Sequence, residues 1–312
     1  MALRLTVQRA TWESHVQTLA KTVDGLVPVV KGNGYGFGRA TLHRLAGTLS
    51  EFVCVGSVDE LDGVPTALTP VVLTPTLIRP ATTMMVLTIG SQEQTEVLAG
   101  WQGRVLVKLQ SSMRRFGVVP AGLDGVVEEA RRAKLEIVGY SLHLPLAGSE
   151  SDRVGEVEAW LDHLDPLVPL WLSHLQPHAY AELQARHPQR QFRLRLGTLL
   201  WHGDKSFLHL HADVLEVHEI RAGDRAGYQL TEVGCDGHLV VVGAGSAHGV
   251  AALASGVSPF HFRRTRLALL EPPHMHTSMI VAPKGTPCPS VGDQIDVQRP
   301  LISTLVDEVE WV

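Results

Sequence analysis

The chain has 312 residues, of which 45% are hydrophobic and 19% are charged, and its formal net charge is -5. This length can fill one large domain or two, and the composition is ordinary for a globular protein. A mildly acidic chain lacks the basic surface that binds nucleic acid or an anionic membrane, so neither is predicted as a partner.

Three widely spaced cysteines without CxxC pairs argue against a disulfide scaffold and against a zinc ribbon. The N-terminal stretch MALRLTVQRATWESHV lacks the long apolar core of a signal peptide. No uninterrupted apolar run approaches the ~18 residues that a membrane-spanning helix needs. These features together predict a protein of the reducing cytoplasm.

Strand-like and helix-like segments alternate from about residue 11 to residue 201. The β-branched runs EFVCVG, TPVVLT and RVLVKL are predicted strands, and a helix-period segment from Leu123 to Ala130 precedes the strand LEIVGYSLHL. Two further predicted helices precede the strands PLWLSHL and FRLRLG. This alternation predicts a parallel sheet with crossover helices, and seven or eight units in ~200 residues favour a closed (βα)8 TIM-type barrel.

The pattern changes after Gly203. The runs FLHLHADVLEV, HLVVVGAG, SMIVA and DQIDV alternate with turn residues, and no long helix-period segment remains. The predicted fold class is therefore α/β, with a barrel over residues 1–203 and a small all-β domain over residues 204–312.

A lysine followed by alternating glycines stands out in VVKGNGYGFGR. The glycines fit neither the G-x-G-x-x-G dinucleotide fingerprint nor the Walker loop, so both nucleotide-binding interpretations fail. Lys31 ends the apolar run LVPVV and thus stands at the carboxyl end of a predicted buried strand, where barrels carry their chemistry. A desolvated lysine there has a lowered pKa and can form a Schiff base. The alternative is a flexible turn with an incidental surface lysine.

The same segment resembles the pyridoxal-phosphate lysine motif of the alanine racemase family, A-V-V-K-A-x-A-Y-G-H-G. In that family of fold-type III enzymes, the lysine binds the cofactor as an internal aldimine and the tyrosine four residues later reaches the phosphate. The resemblance implies these roles for Lys31 and Tyr35. Phe37 stands where the family has a histidine, and the chain resembles a short, divergent member.

A second segment, VLVKLQSSMRRFGV, resembles the family's L-K-x-D-T-G-M-x-R-x-G, with Lys108 and Arg115 in register. In relatives this lysine is often carbamylated and orients the arginine beside the substrate carboxylate, so the resemblance implies a substrate-binding role for both residues. The family's Asp-Thr-Gly is Gln110, Ser111 and Ser112 in this chain. On physical grounds, a lysine that closes an apolar strand is rarely fully buried without a partner.

Two further predicted strands match the family. GYSLHLP resembles the strand that ends in a histidine near the cofactor ring, which implies that role for His143. RLRLGTLLWHG resembles R-x-G-I-x-L-Y-G, which implies that Arg195 bonds the pyridine nitrogen and that the amides of Gly197 and Thr198 face the phosphate. An arginine near the end of an apolar strand also needs an anionic or polar partner, unless the strand is an exposed edge.

The family pattern breaks in the β domain. The second-face tyrosine of G-Y-x-D-G-Y aligns with Ser246 in VVVGAGSAHGV, the motif's aspartate aligns with His248, and no tyrosine follows Tyr228. A serine hydroxyl is too weak an acid–base group at neutral pH without a neighbouring base. The family's G-R-x-S-M-D is MHTSMIV, with His276 for the arginine and Met279 retained.

Two explanations of this break stay open. Either His248 or His276 provides the second base, because histidine has a pKa near neutrality, or the protein performs chemistry on one face of its substrate. The predicted catalytic residues are therefore Lys31, Ser246 and His248, with His276 and Met279 at the substrate.

The resemblance implies a pyridoxal-phosphate-dependent enzyme that interconverts L- and D-alanine or a similar small amino acid. It also implies a homodimer with shared active sites. The alternatives are a pyridoxal-phosphate-dependent lyase or decarboxylase, and a homologue that binds the cofactor without catalysis. His174 and His178 have no accompanying cysteine or carboxylate at metal-like spacing, so no metal site is predicted.

Overall fold

A computed structural model describes residues 3–312, and these residues form two compact units. The first, the barrel unit, comprises Ser14–Gly34 and Arg39–Trp201. The second, the β unit, comprises the residues up to Glu13, Tyr35–Gly38 and His202–Val312. The chain therefore leaves and re-enters the barrel unit before it leaves for the last time at Trp201.

In the described residues, the strands are β1 (Leu3–Val7), β2 (Leu26–Pro28), β3 (Phe52–Val55), β4 (Thr69–Val72), β5 (Val86–Ile89), β6 (Arg104–Leu109), β7 (Glu136–Leu142), β8 (Leu170–Ser173), β9 (Phe192–Leu196), β10 (Leu208–Ile220), β11 (Arg225–Ala226), β12 (Thr231–Glu232), β13 (Gly237–Val242), β14 (Phe260–Phe262), β15 (Thr265–Arg266), β16 (Ala268–Leu269), β17 (Ser278–Pro283), β18 (Gln294–Val297) and β19 (Glu308–Trp311). The helices are α1 (Arg9–Thr22), α2 (Arg39–Ala46), α3 (Gln92–Val97), α4 (Pro120–Arg132), α5 (Glu150–Leu161), α6 (Pro177–Arg186) and α7 (Thr198–His202). None of these helices has both the length and the apolar character needed to cross a membrane.

The barrel unit is built on one parallel sheet. Across the described chain, its eight strands follow the order β2-β9-β8-β7-β6-β5-β4-β3. The two ends of this order, β2 and β3, meet where Val29 bridges Cys54 and the Val30 amide donates to the Cys54 carbonyl at 2.8 Å. The predicted (βα)8 TIM-type barrel is confirmed.

The barrel strands and helices follow the hydrophobic patterns of the sequence. All four residues of β5 are buried, as expected for a strand of a parallel sheet covered on both faces. Helix α4 begins with Pro120, whose fixed φ suits the first turn of a helix. Its apolar stripe of Leu123, Val126, Val127 and Ala130 is buried, as the spacing predicts.

The β unit contains a nine-stranded sheet within the described residues. Seven strands follow the order β15-β14-β18-β10-β13-β17-β16, and β1 pairs antiparallel with β10 and parallel with β19. Val240, Val242, Phe260 and Ile280 belong to its buried apolar core. The predicted C-terminal all-β domain is confirmed, and the first strand of the chain belongs to its sheet.

Candidate active site

The carboxyl ends of the barrel strands carry the polar residues of the candidate site. Lys31 lies shortly after β2, and His143 lies directly after β7. Lys108 and Arg195 lie near the ends of β6 and β9. Because parallel strands present their carboxyl ends at one mouth of a barrel, these four residues belong to the same mouth.

The glycine-rich loop after Lys31 forms a tight turn. The Gly34 amide donates to the Lys31 carbonyl at 3.0 Å, and Gly34 adopts a φ of 65°. A Cβ at Gly34 would lie 2.5 Å from the backbone nitrogen of Arg39, so this position requires glycine. On the other side of the lysine, Trp201 Nε1 donates to the Val29 carbonyl at 2.7 Å. The backbone around Lys31 is therefore fixed on both sides.

Lys31 combines an exposed side chain with a lowered pKa. Burial by the protein around the mouth is the largest cause of the lowered pKa, and the positive charges of Arg115 and Arg195 lower it further. Glu60 and Cys54 act in the opposite direction. A larger neutral fraction than in an ordinary lysine makes this amine a better nucleophile and base at neutral pH.

Two basic side chains lie buried at the same mouth. Lys108 is 5% exposed and Arg195 is 4% exposed, and neither forms a salt bridge with a carboxylate of residues 3–312. The Lys108 ammonium donates to Ser141 Oγ at 3.5 Å. Burial, followed by the charges of Arg195 and Arg115, lowers the pKa of Lys108 well below its ordinary value.

Arg195 is tied to the backbone of two neighbouring strands. Its Nε donates to the Leu172 carbonyl at 3.2 Å, and its Nη2 donates to the Leu142 carbonyl at 2.7 Å and to the Trp171 carbonyl at 3.4 Å. Nη1 makes no hydrogen bond with another described residue. Arg195 is therefore held in place by the carbonyls of the neighbouring strands.

His174 is a residue of the mouth that the sequence analysis missed. Its ring lies edge to face with the ring of His143 at a centroid distance of 4.7 Å, and His143 Nδ1 lies 2.8 Å from Ser173 Oγ. Burial, followed by the charge of Arg195, lowers the pKa of His143 to about 2 and the pKa of His174 to about 4. Both imidazoles are therefore neutral at physiological pH. Its position in the sequence could have identified His174, because His174 directly follows β8 in the same way that His143 directly follows β7.

Arg115 lies in an exposed loop between β6 and α4 that is fixed at several points. The Gln110 amide donates to the Val118 carbonyl at 2.8 Å, which closes the base of the loop. Ser112 donates from its Oγ to the Glu156 carboxylate at 2.9 Å. The loop thereby holds Arg115 where its charge acts on the amines of the mouth.

The residues predicted to hold a phosphate fall in both units. Gly197 and Thr198 belong to the barrel unit, and the Thr198 amide opens α7, where a helix leaves its first amides without an internal partner. Tyr35 groups with the β unit, where it is buried, adopts a φ of 56° and accepts a hydrogen bond at its carbonyl from His202 Nε2 at 2.8 Å. The roles of these three residues stay predictions.

Ser246 and His248 share a short 3-10 turn of the β unit. His248 Nδ1 accepts from the Gly245 amide at 3.0 Å, and His248 Nε2 lies 3.3 Å from Asp307 Oδ2, so both ring nitrogens are engaged. Ser246 and His276 are exposed, and the rings of His248 and His276 lie 6.0 Å apart. Among the residues that the structure describes, no group of three or more His, Cys, Asp or Glu could hold a metal ion.

Met279 lies in β17, and its side chain is half-buried. It packs against a small apolar cluster of the β unit that includes Ile220, Val233 and Leu239. This packing gives Met279 a role in the stability of the sheet, and its predicted contact with a substrate stays a prediction.

The fold and the mouth residues together define a protein with a βα barrel, a β unit, and an amine of lowered pKa among basic side chains at the barrel mouth. The chain belongs to the alanine racemase family. The family model of the alanine racemase N-terminal domain matches residues 7–184, which is more than half of the chain.

Solved alanine racemases share this fold over the whole chain. The enzyme of Bartonella henselae, with covalently bound pyridoxal phosphate, has a TM-score of 0.75 at 17% identity, over 100% of each chain. The biosynthetic enzyme of Pseudomonas aeruginosa has a TM-score of 0.74 at 19% identity, over 100% of this chain and 99% of the other. The enzyme of Streptomyces lavendulae has a TM-score of 0.72 at 19% identity, over 95% and 87%. No curated protein sequence matches the chain.

Proposed function

We propose that this protein is a pyridoxal-phosphate-dependent racemase that interconverts L- and D-alanine or a similar small amino acid. The observation that carries the proposal is Lys31, an exposed amine with a lowered pKa at the mouth of an alanine racemase family barrel. The family depends on pyridoxal phosphate, and the Bartonella henselae enzyme carries this cofactor covalently. That attachment supports Lys31 as the attachment point in this chain.

The donor set at the mouth fits an anionic cofactor and a carboxylate substrate. The side chains of Lys108 and Arg195 are buried without a carboxylate partner among the described residues, and Arg195 Nη1 makes no hydrogen bond with those residues. Buried charges of this kind need an anionic or polar partner. When bound, pyridoxal phosphate supplies an electron sink that acidifies the α-C–H bond of an amino acid. The residues assigned to hold it are Lys31, Tyr35, His143, Arg195, Gly197 and Thr198.

Lys31 Nζ takes the α-proton of the substrate on its own face and returns a proton there in the reverse direction. The lowered pKa of Lys31 increases the neutral fraction of the amine relative to an ordinary lysine, which favours this task. Arg115 binds the substrate carboxylate, because a guanidinium pairs with a carboxylate through two parallel hydrogen bonds. Arg195 has only donors to offer, so an aromatic nitrogen in front of Nη1 has to stay unprotonated. His143 is neutral and contributes packing and a hydrogen bond rather than charge.

Racemisation needs a second acid–base group for the opposite face of the α-carbon, and we assign it to His276. His276 has an exposed imidazole, whereas both ring nitrogens of His248 are engaged by Gly245 and Asp307. His248 then fixes the turn that carries Ser246, and Ser246 lies exposed on that turn. By resemblance to the family, the second group comes from the β unit of a second subunit, so the active form is a homodimer with shared sites.

The second candidate is a lyase or decarboxylase that uses the same cofactor on one face. The observation that favours it is the exposed hydroxyl of Ser246 at the position of the family's tyrosine, because a hydroxyl of this kind is a poor acid or base at neutral pH. The three cysteines are unpaired, which supports our placement of either enzyme in the reducing cytoplasm.

The proposal is tested with purified protein saturated with pyridoxal phosphate. We expect a visible absorption band from the lysine-bound cofactor that Lys31→Ala abolishes and that Lys21→Ala, a matched exposed lysine, retains. With L-alanine in D2O, we expect deuterium at the α-carbon and D-alanine as the product. The racemase proposal is wrong if the deuterium appears with retention of configuration or if the products include carbon dioxide, and both outcomes support the second candidate. Absence of the absorption band rejects both functions.

A further inference from the structure

The barrel closes at a weak seam between β2 and β3, directly below Lys31. Pairing there consists of the bridge between Val29 and Cys54 and the bond from the Val30 amide to the Cys54 carbonyl, at 2.8 Å. By contrast, β3 and β4 pair over their full lengths. The sheet itself therefore joins β2 and β3 through few hydrogen bonds.

Glu60 joins these two strands at the mouth of the barrel. Its Oε1 accepts from the Gly32 amide at 2.8 Å, directly after Lys31, and its Oε2 accepts from the Gly56 amide at 2.7 Å, directly after β3. The carboxylate approaches so closely that a Cβ at Gly56 would lie 2.8 Å from Oε2. Hydrogen bonds from amides to a carboxylate are stronger than those between neutral groups. One side chain thus connects the two edges of the seam.

The position of Glu60 is itself fixed by the short 3-10 turn Val58–Glu60. The Ser57 hydroxyl caps this turn by accepting from the Asp59 amide at 3.3 Å. Arg39 Nη1 lies 3.6 Å from Glu60 Oε1. The carboxylate side chain is only 17% exposed, so the arrangement is a built contact rather than a mobile surface acid.

Glu60 also carries the negative charge that faces Lys31. Burial raises the pKa of Cys54 to about 12, so its thiol is neutral. The charge of Glu60 raises the pKa of Lys31, against the positive charges of Arg115 and Arg195, which lower it. Glu60 itself also faces Arg39 and His43 from α2.

We propose that Glu60 is a positioning residue for Lys31, which fixes the backbone on the carboxyl side of the lysine and balances the cations around its amine. The proposal rests on the proposed function for the role of Lys31. The coupling between the two residues can be measured in the full chain without cofactor.

The first test measures the acid–base behaviour of Lys31 by competitive acetylation across pH, read by mass spectrometry. We expect Glu60→Gln to lower the pKa of Lys31, because it removes the opposing negative charge. Asp59→Asn is the matched control, since it removes a negative charge from the same turn without touching either amide, and we expect the pKa of Lys31 to stay at the wild-type value. An equal pKa in the two variants overturns the proposal.

The second test measures amide hydrogen exchange at Gly32 and Gly56. A glutamine can accept from only one of the two amides through its single oxygen, so we expect exchange at the other to be about tenfold or more faster. Glu60→Asp keeps the charge on a shorter side chain, so we expect faster amide exchange with the pKa of Lys31 near the wild-type value. Unchanged exchange at both glycines in Glu60→Gln overturns the positioning role.

The experiments distinguish a wrong role for Glu60 from a wrong proposed function. A wild-type chain that binds no pyridoxal phosphate, but whose Lys31 pKa responds to Glu60→Gln, rejects the proposed function and retains the coupling. With cofactor, we expect the pH dependence of α-deuterium exchange to shift to lower pH in Glu60→Gln and not in Asp59→Asn. A pH profile that stays in place in both variants shows that Glu60 has no effect on the working lysine and rejects the proposal.

Discussion

Lys31 follows the first barrel strand with an exposed amine, yet residues of other barrel segments set its acid–base behaviour. Arg195 comes from β9 and Arg115 from the loop after β6, and both lower the pKa of Lys31 through their charge. The reactivity of one lysine is thus a property of several strands, and it can be changed without altering the lysine itself.

Arg115 gives the first prediction at the scale of residues. Arg115→Gln removes a positive charge near the amine, so we expect the pKa of Lys31 to rise, as measured by competitive acetylation. Arg115→Lys retains the charge, so we expect a smaller change in that pKa. If Arg115 binds the substrate carboxylate as proposed, both variants lose the two parallel bonds to it, and we expect KM for the amino acid to rise about tenfold or more. An unchanged KM in both variants would contradict the assignment of Arg115 to the substrate.

Lys108 gives the second prediction. Its buried amine has a pKa well below the ordinary value, and the cations Arg195 and Arg115 act on it. A neutral amine adds carbon dioxide to give a carbamate and a released proton, and the new negative charge would be stabilised by the two arginines. We expect a carbamate signal in 13C NMR with labelled bicarbonate, lost in Lys108→Met and retained in Lys31→Ala. A signal that survives in Lys108→Met refutes the assignment.

At the scale of elements, neighbouring strands β7 and β8 deliver two neutral histidines to one place. His143 and His174 pack edge to face, and their pKa values of about 2 and about 4 lie far below the usual range, with burial as the main cause. The folded chain therefore binds fewer protons at these positions than the unfolded chain at any pH between the folded and unfolded pKa values. The neutral histidines therefore stabilise the folded chain above the unfolded pKa of about 6.5. This stabilisation is lost as the pH falls below that pKa.

The third prediction follows from this loss. The free energy of unfolding is measured with urea at pH 7 and at pH 5. On acidification, we expect this free energy to fall by about 2 kcal/mol less in His143→Asn than in the wild type. The difference arises because pH 5 lies about 1.5 units below the unfolded pKa of histidine. His163→Asn, which changes an exposed histidine, is the matched control and should retain the wild-type acid sensitivity. Equal acid sensitivity of His143→Asn and the wild type would show that His143 is protonated in the folded chain.

The strand and helix patterns predicted much of the barrel, because their signals are local. Helix α4 buries the apolar stripe that its spacing indicates, and FRLRLG forms β9 with Arg195 near its end. The position of His174 after β8 was a usable signal, but the contacts of Glu60 were not predictable, because they depend on which loops meet at the mouth. The pairing of β1 with β19 joins the two ends of the chain and leaves no local signal in the sequence.

At the scale of the whole molecule, the groups assigned to the reaction are divided between the two units. Lys31, Lys108, Arg115 and Arg195 belong to the barrel unit, and His276 belongs to the β unit. The proposed racemase needs acid–base groups on both faces of its substrate, and the assignment of His276 takes the second group from a second subunit. The proposed homodimer with shared sites satisfies this need with the β unit of one subunit and the barrel of the other.

A complementation experiment gives the fourth prediction, since it separates shared sites from sites within one chain. Lys31→Ala and His276→Ala are each expected to abolish racemisation. If each site takes Lys31 from one subunit and His276 from the other, a mixed dimer has one intact site and one site with both defects. Random reassociation of equal amounts should then restore about a quarter of the wild-type kcat, because half of the dimers are mixed and half of their sites are intact. If both groups came from one chain, every site would carry one defect and the mixture would stay inactive.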